Sequence, residues 1–202
     1  MPLQRFDLGA IAPSPWKNGG GSTREIVCWP PGAGMDGFGW RVSAATIDRA
    51  GPFSAYPGVD RQIMLLGGDG VHLSASGIDH RLDEPWRPWS FDGAAALDCT
   101  PLGGASTDFN LMLRRGAWQG TIEIVSDSVQ PGSTPAGVCL VLAGTWRDGA
   151  GEGYPPGHGL WWGEAQGQPL QLAPGDARGA ALAWIGLAPD AGAAPAPVLQ
   201  DT

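Results

Sequence analysis

The chain has 202 residues, 12 of them Lys or Arg and 20 Asp or Glu, which gives a formal net charge of −8 at pH 7. Proteins that bind nucleic acids or anionic membrane surfaces concentrate basic residues, so this charge argues against both kinds of partner. Gly and Pro are abundant, but 43% hydrophobic residues and ten Trp supply enough apolar surface for a sizeable core. The composition favours a turn-rich, all-β protein over a disordered one.

Period-two alternation of polar and apolar residues recurs along the chain, whereas helical apolar periodicity is almost absent. The alternation predicts short strands at 22–29, 39–47, 62–66, 71–75, 78–82, 94–99, 109–114, 120–125, 138–143, 160–163, 170–172 and 180–187. Between two of these strands, residues 67–70 (Gly-Gly-Asp-Gly) predict a tight hairpin, because Gly adopts positive φ without steric cost. Many short strands separated by turn signals indicate a sandwich or barrel, with few or no long helices.

A weak internal repeat divides the chain. Residues 63–68 (IMLLGG) resemble residues 139–144 (CLVLAG), and each half later carries a turn followed by Ala-Ala. We interpret this as two copies of one β unit, at 1–116 and 117–188, although similarity this short also arises by chance in a Gly- and Ala-rich chain. Residues 189–202 are rich in Ala and Pro and are expected to form a mobile tail.

The sequence predicts a cytoplasmic protein. Its longest late apolar run, at 179–189, has 11 residues, whereas a membrane helix needs roughly 20. The N-terminus lacks the apolar segment of a signal peptide. Cys28, Cys99 and Cys139 are widely spaced and odd in number, so we expect reduced thiols instead of disulfides or a zinc site.

The most unusual segment is residues 15–26, Pro-Trp-Lys-Asn-Gly-Gly-Gly-Ser-Thr-Arg-Glu-Ile. Three consecutive glycines let the backbone take shapes closed to other residues and let a ligand or strand approach closely. It is not a phosphate-binding P-loop, because the Gly-Lys-Ser/Thr order is absent and no helix is predicted to follow. The segment forms either a flexible loop or the rim of a pocket made by Trp16, Lys17, Asn18, Thr23 and Glu25.

Two arginines are the second group of candidates. Arg41 and Arg61 can each bind a carboxylate through two parallel hydrogen bonds. Asp60 and Glu25 could serve as acid or base, or could neutralise these arginines, and the structural ion pair is the commoner outcome.

A third candidate group lies on the predicted strand around residues 108–114. The two-residue period places Asp108, Asn110, Met112 and Arg114 on one face. That face either lines a polar interior able to bind a small ligand or lies exposed at a sheet edge.

The segments at 15–26, 40–43 (Trp-Arg-Val-Ser), 51–54 (Gly-Pro-Phe-Ser), 58–61 (Gly-Val-Asp-Arg) and 108–112 (Asp-Phe-Asn-Leu-Met) together resemble the HutD/Ves family. The resemblance extends over residues 3 to about 187 and implies two cupin-type β-barrels in one chain, a bicupin. It associates the chain with bacterial histidine utilisation or with a stress response, and it implies no established catalytic set. The positions that match the family motifs are Trp16, Lys17, Asn18, Thr23, Glu25, Arg41, Asp60, Arg61, Asp108 and Asn110.

Cupins often hold a metal through a His-x-His pair, a following Glu and a later His. Here Ser74 stands where the partner of His72 would be, and Asp83 and Glu84 do not restore the pattern. The other histidines, His80 and His158, are remote in sequence, so we expect no metal and no cofactor.

These observations favour a metal-independent cytoplasmic bicupin that binds a small carboxylate or amide metabolite. If the family association with histidine utilisation applies, a formylated or formiminated glutamate is a reasonable ligand class. One alternative is a metal-free isomerase or hydrolase with Glu25, Asp60 or Asp108 as base and Lys17 as acid or electrostatic stabiliser. Another is a stress-related protein-interaction module. The sequence leaves the oligomeric state open, a homodimer included.

Overall fold

Antiparallel β-strands make up nearly all of the regular structure, as the composition predicts. The structure is a computed structural model that describes residues 2–176 and 178–192. The tail expected at 189–202 therefore lies outside the described residues from position 193 onward. Within the described ranges the one helix is the single turn α1 (Gly34–Gly37), and no helix is long and apolar enough to cross a membrane.

The strands alternate with tight turns along the whole described chain. In order they are β1 (Gln4–Asp7), β2 (Ser14–Pro15), β3 (Gly21–Trp29), β4 (Trp40–Ile47), β5 (Gly51–Pro52), β6 (Val59–Gly67), β7 (Val71–Ala75), β8 (Ile78–Leu82), β9 (Trp89–Asp92), β10 (Asp98–Pro101), β11 (Ser106–Arg114), β12 (Trp118–Val125), β13 (Ala136–Ala143), β14 (Trp146–Asp148), β15 (Gly153–Tyr154), β16 (His158–Trp162), β17 (Leu172–Pro174) and β18 (Ala181–Pro189).

The strands form two large and two small sheets. The first large sheet has the order β2-β3-β4-β11-β6-β9, and the first small sheet has the order β5-β10-β7-β8. The second large sheet, β1-β16-β13-β18-β12, and the second small sheet, β15-β14-β17, use the remaining strands. Strand β1 lies within the expected first unit, 1–116, but it pairs with β16, which lies within the expected second unit, 117–188.

Among the described residues, three large apolar cores separate these four sheets, and Phe38, Val59 and Met112 form a smaller fourth cluster. The central core lies between the two large sheets, and the other two lie between each large sheet and its small neighbour. On β11, the alternation sends Phe109 and Leu111, both 0% exposed, into the central core. Burial of one such side chain stabilises the fold by about 1.5–3 kcal/mol. The alternate residues Asp108, Asn110 and Met112 consequently lie on the opposite face of the first large sheet.

The hairpin predicted at residues 67–70 is wrong. Strand β6 pairs with β11 and β9, while β7 pairs with β8 and β10, so this turn carries the chain from the first large sheet to the first small sheet. Residues Ile63, Met64 and Leu65 are consecutive and buried, which makes β6 a strand covered on both faces instead of one arm of a hairpin. The hairpin partner of β7 is β8, reached through Gly77 at φ 79°.

Candidate functional site

A cavity of about 540 Å³ lies on the face of the first large sheet that turns away from the central core. This volume is in the range of small-molecule sites. Its floor is built by side chains that point the same way from neighbouring strands: Thr23, Arg41, Ser43, Ala45, Arg61, Asp108, Asn110 and Met112. Its walls come from three segments outside the long strands: Pro15, Trp16, Lys17 and Asn18; Met35; and Pro52, Phe53, Ser54 and Tyr56.

The glycine segment forms one wall because its glycines permit a tight reversal between β2 and β3. The Trp16 amide donates to the Gly21 carbonyl at 2.9 Å, and the Gly19 amide donates to the Trp16 carbonyl at 3.0 Å. Gly19 adopts φ 68°, which disfavours residues with a Cβ. A Cβ on Gly21 would lie 2.2 Å from the Thr46 carbonyl oxygen. One glycine therefore supplies the backbone conformation and another the close approach to β4.

The same segment holds Trp16 against the cavity. The Trp16 indole Nε1 donates to Thr23 Oγ1 at 2.8 Å, and its ring meets Phe53 edge-on with centroids 6.4 Å apart. Asn18 Oδ1 accepts a hydrogen bond from the Gly20 amide at 3.0 Å and steadies the turn. The structure therefore brings Trp16, Lys17 and Asn18 to one wall beside Thr23 of the floor, with Lys17 and Asn18 exposed at the edge of that wall.

Arg61 is the buried cation of the cavity, with 8% of its surface exposed. Its Nη2 donates to Asn110 Oδ1 at 3.1 Å, and its Nε is buried without a hydrogen-bond partner. In the part of the chain that the structure describes, no carboxylate forms an ion pair with it. The guanidinium lies 4.9–5.7 Å from the centroids of three aromatic rings, those of Phe91, Phe53 and Tyr56. Burial lowers the pKa of Arg61, but a guanidinium stays charged in proteins.

Asp108 is the buried carboxyl group of the floor, with 1% of its surface exposed. Its Oδ1 accepts a hydrogen bond from Asn110 Nδ2, while its Oδ2 is buried and has no partner. Burial raises the pKa of Asp108 to about 7, and the opposing effects of Arg61, Asn110 and the Ala45 backbone do not cancel this rise. Asp108 therefore changes its charge near neutral pH.

Arg41 is neutralised at the mouth of the cavity. Its Nε donates to Glu25 Oε2 at 2.7 Å, and its Nη1 donates to Ser43 Oγ at 3.1 Å. The Glu25 side chain is 49% exposed and lies beside the cavity, not on its wall. Glu25 therefore affects the site through its ion pair with Arg41 and does not itself line the cavity.

The structure does not bring Asp60 to the cavity. Asp60 precedes Arg61 on β6, so the two side chains point to opposite faces of the strand. Asp60 forms an exposed ion pair with Arg115 at 2.6 Å, and Arg115 also pairs with Asp92 at 3.1 Å.

Several lining residues were absent from the predicted set. Ser43 follows Arg41 by two residues, so strand periodicity could have found it. The same periodicity places Met112 on the face of Asp108 and Asn110, although Met112 is not among the predicted ligand-binding residues. Tyr56 lies in an irregular loop whose position depends on contacts such as its amide hydrogen bond to the Gly93 carbonyl at 2.6 Å. No local pattern in the sequence predicts the contact between Tyr56 and Gly93.

The histidines do not fit the metal site that many cupins hold. His72 pairs with Asp79 on the first small sheet, His80 stacks on Trp89 with centroids 4.1 Å apart, and His158 lies 4.0 Å from Asp7. None of them lines the cavity. Across residues 2–176 and 178–192, no cluster of three or more His, Cys, Asp or Glu residues could hold a metal ion.

Comparisons with known proteins confirm the family resemblance. The HutD family model matches residues 9–177. Protein Ves from Cronobacter sakazakii is 32% identical over 163 residues, which cover 80% of this chain and 88% of Ves. An uncharacterized 21.2 kDa protein in the hutC 3′ region of Pseudomonas putida is 47% identical over 98 residues, covering 48% of this chain and 51% of that protein.

Solved structures share the fold. HutD from Pseudomonas fluorescens SBW25, described as a formate condition, superposes with a TM-score of 0.78 at 27% identity and covers 93% of this chain and 99% of that one. A cupin 2 conserved barrel domain protein from Leptotrichia buccalis superposes with a TM-score of 0.59 at 9% identity, covering 92% and 96%. The second likeness shows a cupin-like fold alone.

Proposed function

The chain belongs to the HutD family, and we propose that its cavity binds a small metabolite with a carboxylate or amide group, without a metal. The observation that carries this proposal is the environment of Arg61, a buried cation that contacts aromatic rings, the Asn110 amide oxygen and the Ser54 backbone carbonyl oxygen. Burying a charge is costly unless a counter-charge accompanies it. A ligand carboxylate would supply the counter-charge that Asp108 supplies only indirectly.

The other lining groups support a ligand with a polar end and a short hydrocarbon body. Lys17 adds a second cation at the cavity edge. Thr23 Oγ1 accepts from Trp16, so its hydroxyl hydrogen remains available as a donor. Trp16, Phe53 and Met112 supply apolar surface for the body of the ligand.

A link to histidine utilisation rests on the relatives. One relative is described by its position in the hutC 3′ region, and a structural neighbour is named HutD. We therefore propose that the metabolite belongs to this pathway or its regulation, with formylated or formiminated glutamate as the first ligand class to test.

We also propose that the chain contains two cupin units and works in the cytoplasm. Each half provides a large and a small sheet with a core between them. The repeated segments 63–68 and 139–144 occupy corresponding places, where a large-sheet strand leads towards a small sheet. Trp146 and Tyr154 are buried inside the second unit, which supports a ligand site in the first unit.

The three cysteines are unpaired, which is compatible with a reducing compartment.

A thermal-shift screen tests the binding proposal. The panel contains histidine, urocanate, glutamate, formylglutamate, formate, and unrelated acids and sugars, each with and without divalent metals. A ligand at about 100 times its Kd stabilises a protein by about 2.7 kcal/mol, which for a chain of this size is a shift of roughly 5–10 °C.

The matched variants are Arg61→Met and Arg115→Met. Arg61→Met is expected to abolish the shift, whereas Arg115→Met removes an exposed arginine from the other face and should retain it. Normal binding by Arg61→Met would overturn the assignment. A shift that requires metal would overturn metal-free binding. Absence of any shift would favour a protein-interaction module instead.

A second candidate function is proton transfer to the bound metabolite. Asp108 supports it, because a carboxyl group with a pKa of about 7 and an unpartnered oxygen suits general acid–base chemistry. NMR of the protein incubated with an acid that binds distinguishes the two functions. New product signals that Asp108→Asn eliminates would favour an enzyme, and an unchanged ligand would favour a binding protein.

A further inference from the structure

Asn110 connects the two buried charged groups of the cavity. Its side-chain oxygen accepts from Arg61 Nη2 at 3.1 Å, and its side-chain nitrogen donates to Asp108 Oδ1. All three side chains belong to residues that are at least nine-tenths buried. An anion that binds Arg61 therefore enters a desolvated space that already contains the carboxyl group of Asp108.

From this geometry we infer that the cavity takes up its anion together with one proton, which Asp108 carries. The inference rests on the proposed anion site and specifies how that site works. Two carboxylates that share one buried cation repel each other, so the binding of one favours protonation of the other. Asp108 Oδ2 has no hydrogen-bond partner, so it is available to take the proton.

Among the described residues, six titratable or charged side chains lie around Asp108 or act on the groups that contact it. They are Lys17, Glu25, Arg41, Tyr56, Arg61 and Cys99. Arg41 is paired with Glu25, and the arginines stay charged. Burial and the nearby Asp108 charge raise the pKa of Cys99 to about 12, so this thiol stays protonated. The pKa of Asp108 itself, about 7, is consistent with proton uptake under physiological conditions.

Protonation of Asp108 should also determine which acids bind most tightly. A neutral carboxyl group offers no counter-charge to an ammonium group, so acids without an amino group gain an advantage over amino acids. Glutarate and glutamate differ only by such an ammonium group. We therefore expect glutarate to bind more tightly than glutamate at pH 7, and the opposite preference if Asp108 remains ionised.

Titration calorimetry with glutarate tests the coupling. Measurements in buffers of low and high ionisation enthalpy give the number of protons bound with the ligand. Uptake of about half a proton at pH 7 and about one at pH 8 is expected, with affinity falling about tenfold for each pH unit above 7. Asp108→Asn should bind glutarate without proton uptake and without this pH dependence. Asp60→Asn, an exposed carboxylate on the other face, should behave as wild type.

Each outcome separates the inference from the proposed function. Glutarate binding with no proton uptake, or uptake that persists in Asp108→Asn, overturns the inference and leaves the anion site standing. If neither glutarate nor formate binds at 100 mM, both are overturned. Carbon-13 NMR of the Asp108 carboxyl in the wild type provides a test that needs no variant. Saturating glutarate should raise its titration midpoint by at least two pH units, and an unchanged midpoint contradicts the inference.

Discussion

Arg61 and Asp108 share the side chain of Asn110 and form no direct ion pair with each other. Each nevertheless affects the other, because the Arg61 charge partly offsets the rise that burial causes in the pKa of Asp108. The arrangement keeps a cation and a titratable carboxyl group close together while leaving Arg61 Nε and Asp108 Oδ2 without partners. Both stability and binding should therefore respond to changes at either residue.

The free energy of unfolding should depend on pH through Asp108. Its pKa is raised to about 7 in the folded state, whereas an unfolded Asp titrates near 4, so the folded state holds the extra proton between these values. Its contribution is fully present below about pH 4 and is lost as pH rises towards 7, with a slope of at most about 1.4 kcal/mol per pH unit. Asp108→Asn should flatten this slope, as urea unfolding between pH 4.5 and 8 would measure.

Asp60→Asn is the control for that series. Asp60 is exposed and paired with Arg115, so its removal should leave the slope between pH 5 and 7 unchanged. An Asp108→Asn slope equal to that of the wild type would contradict the assigned titration.

Replacing Arg61 by Met should raise the pKa of Asp108 above about 7, because Arg61 is the largest influence that lowers it. The free energy of unfolding should change by no more than about 1 kcal/mol, since removing an incompletely paired buried charge offsets the lost hydrogen bonds to Asn110 and the Ser54 carbonyl. Carbon-13 NMR of the Asp108 carboxyl gives the first quantity, and urea unfolding gives the second. Arg115→Met should leave the Asp108 midpoint where it is, and a midpoint that falls in Arg61→Met would refute the argument.

Gly21→Ala should weaken both the fold and the ligand site. The new Cβ would lie 2.2 Å from the Thr46 carbonyl oxygen and 3.2 Å from the Trp16 ring, so β3 or Trp16 must move. Such overpacking costs about 1–3 kcal/mol. Gly67→Ala is the matched control, because a Cβ at Gly67 meets no atom within 4 Å. Urea unfolding of both variants should show a loss only for Gly21→Ala, and equal losses would exclude the steric explanation.

Gln62 joins the two large sheets through its side chain. Its Nε2 donates to the Gly120 carbonyl at 3.0 Å, and its Oε1 accepts from the Ile122 amide at 2.9 Å, which satisfies the free edge of β12. Gln62→Leu should lower the free energy of unfolding by about 2–3 kcal/mol, because it leaves two partly buried backbone groups unsatisfied. Hydrogen exchange at the Ile122 amide should accelerate.

The control for this variant is Gln119→Ala, which removes an exposed glutamine from β12. It should change the free energy of unfolding by less than about 0.5 kcal/mol. An Ile122 amide that stays equally protected in Gln62→Leu would show that the Gln62 contact does not hold the edge of β12.

The alternation of β11 allowed the cavity floor to be predicted from sequence. It places Asp108 and Asn110 on one face whatever the strand pairs with, since successive side chains on a strand point in opposite directions. The same rule separates Asp60 from Arg61, so Asp60 could have been removed from the predicted set. The run of three glycines likewise predicts a segment where the backbone approaches closely, and Gly21 against Thr46 is such a contact.

The pairing of the strands and the burial of the charged side chains could be determined only from the tertiary structure. The same apolar pattern in β6 is compatible with a hairpin to β7 or with a central position beside β11. Long-range packing places β6 beside β11. The rings around Arg61 and the titration of Asp108 depend on groups from separate strands and loops that meet only after folding. The sequence by itself determines which faces of the strands are polar, because that property is local. Which polar groups are buried together, and therefore which charges lack partners, depends on contacts between distant segments and was decided by the tertiary structure alone.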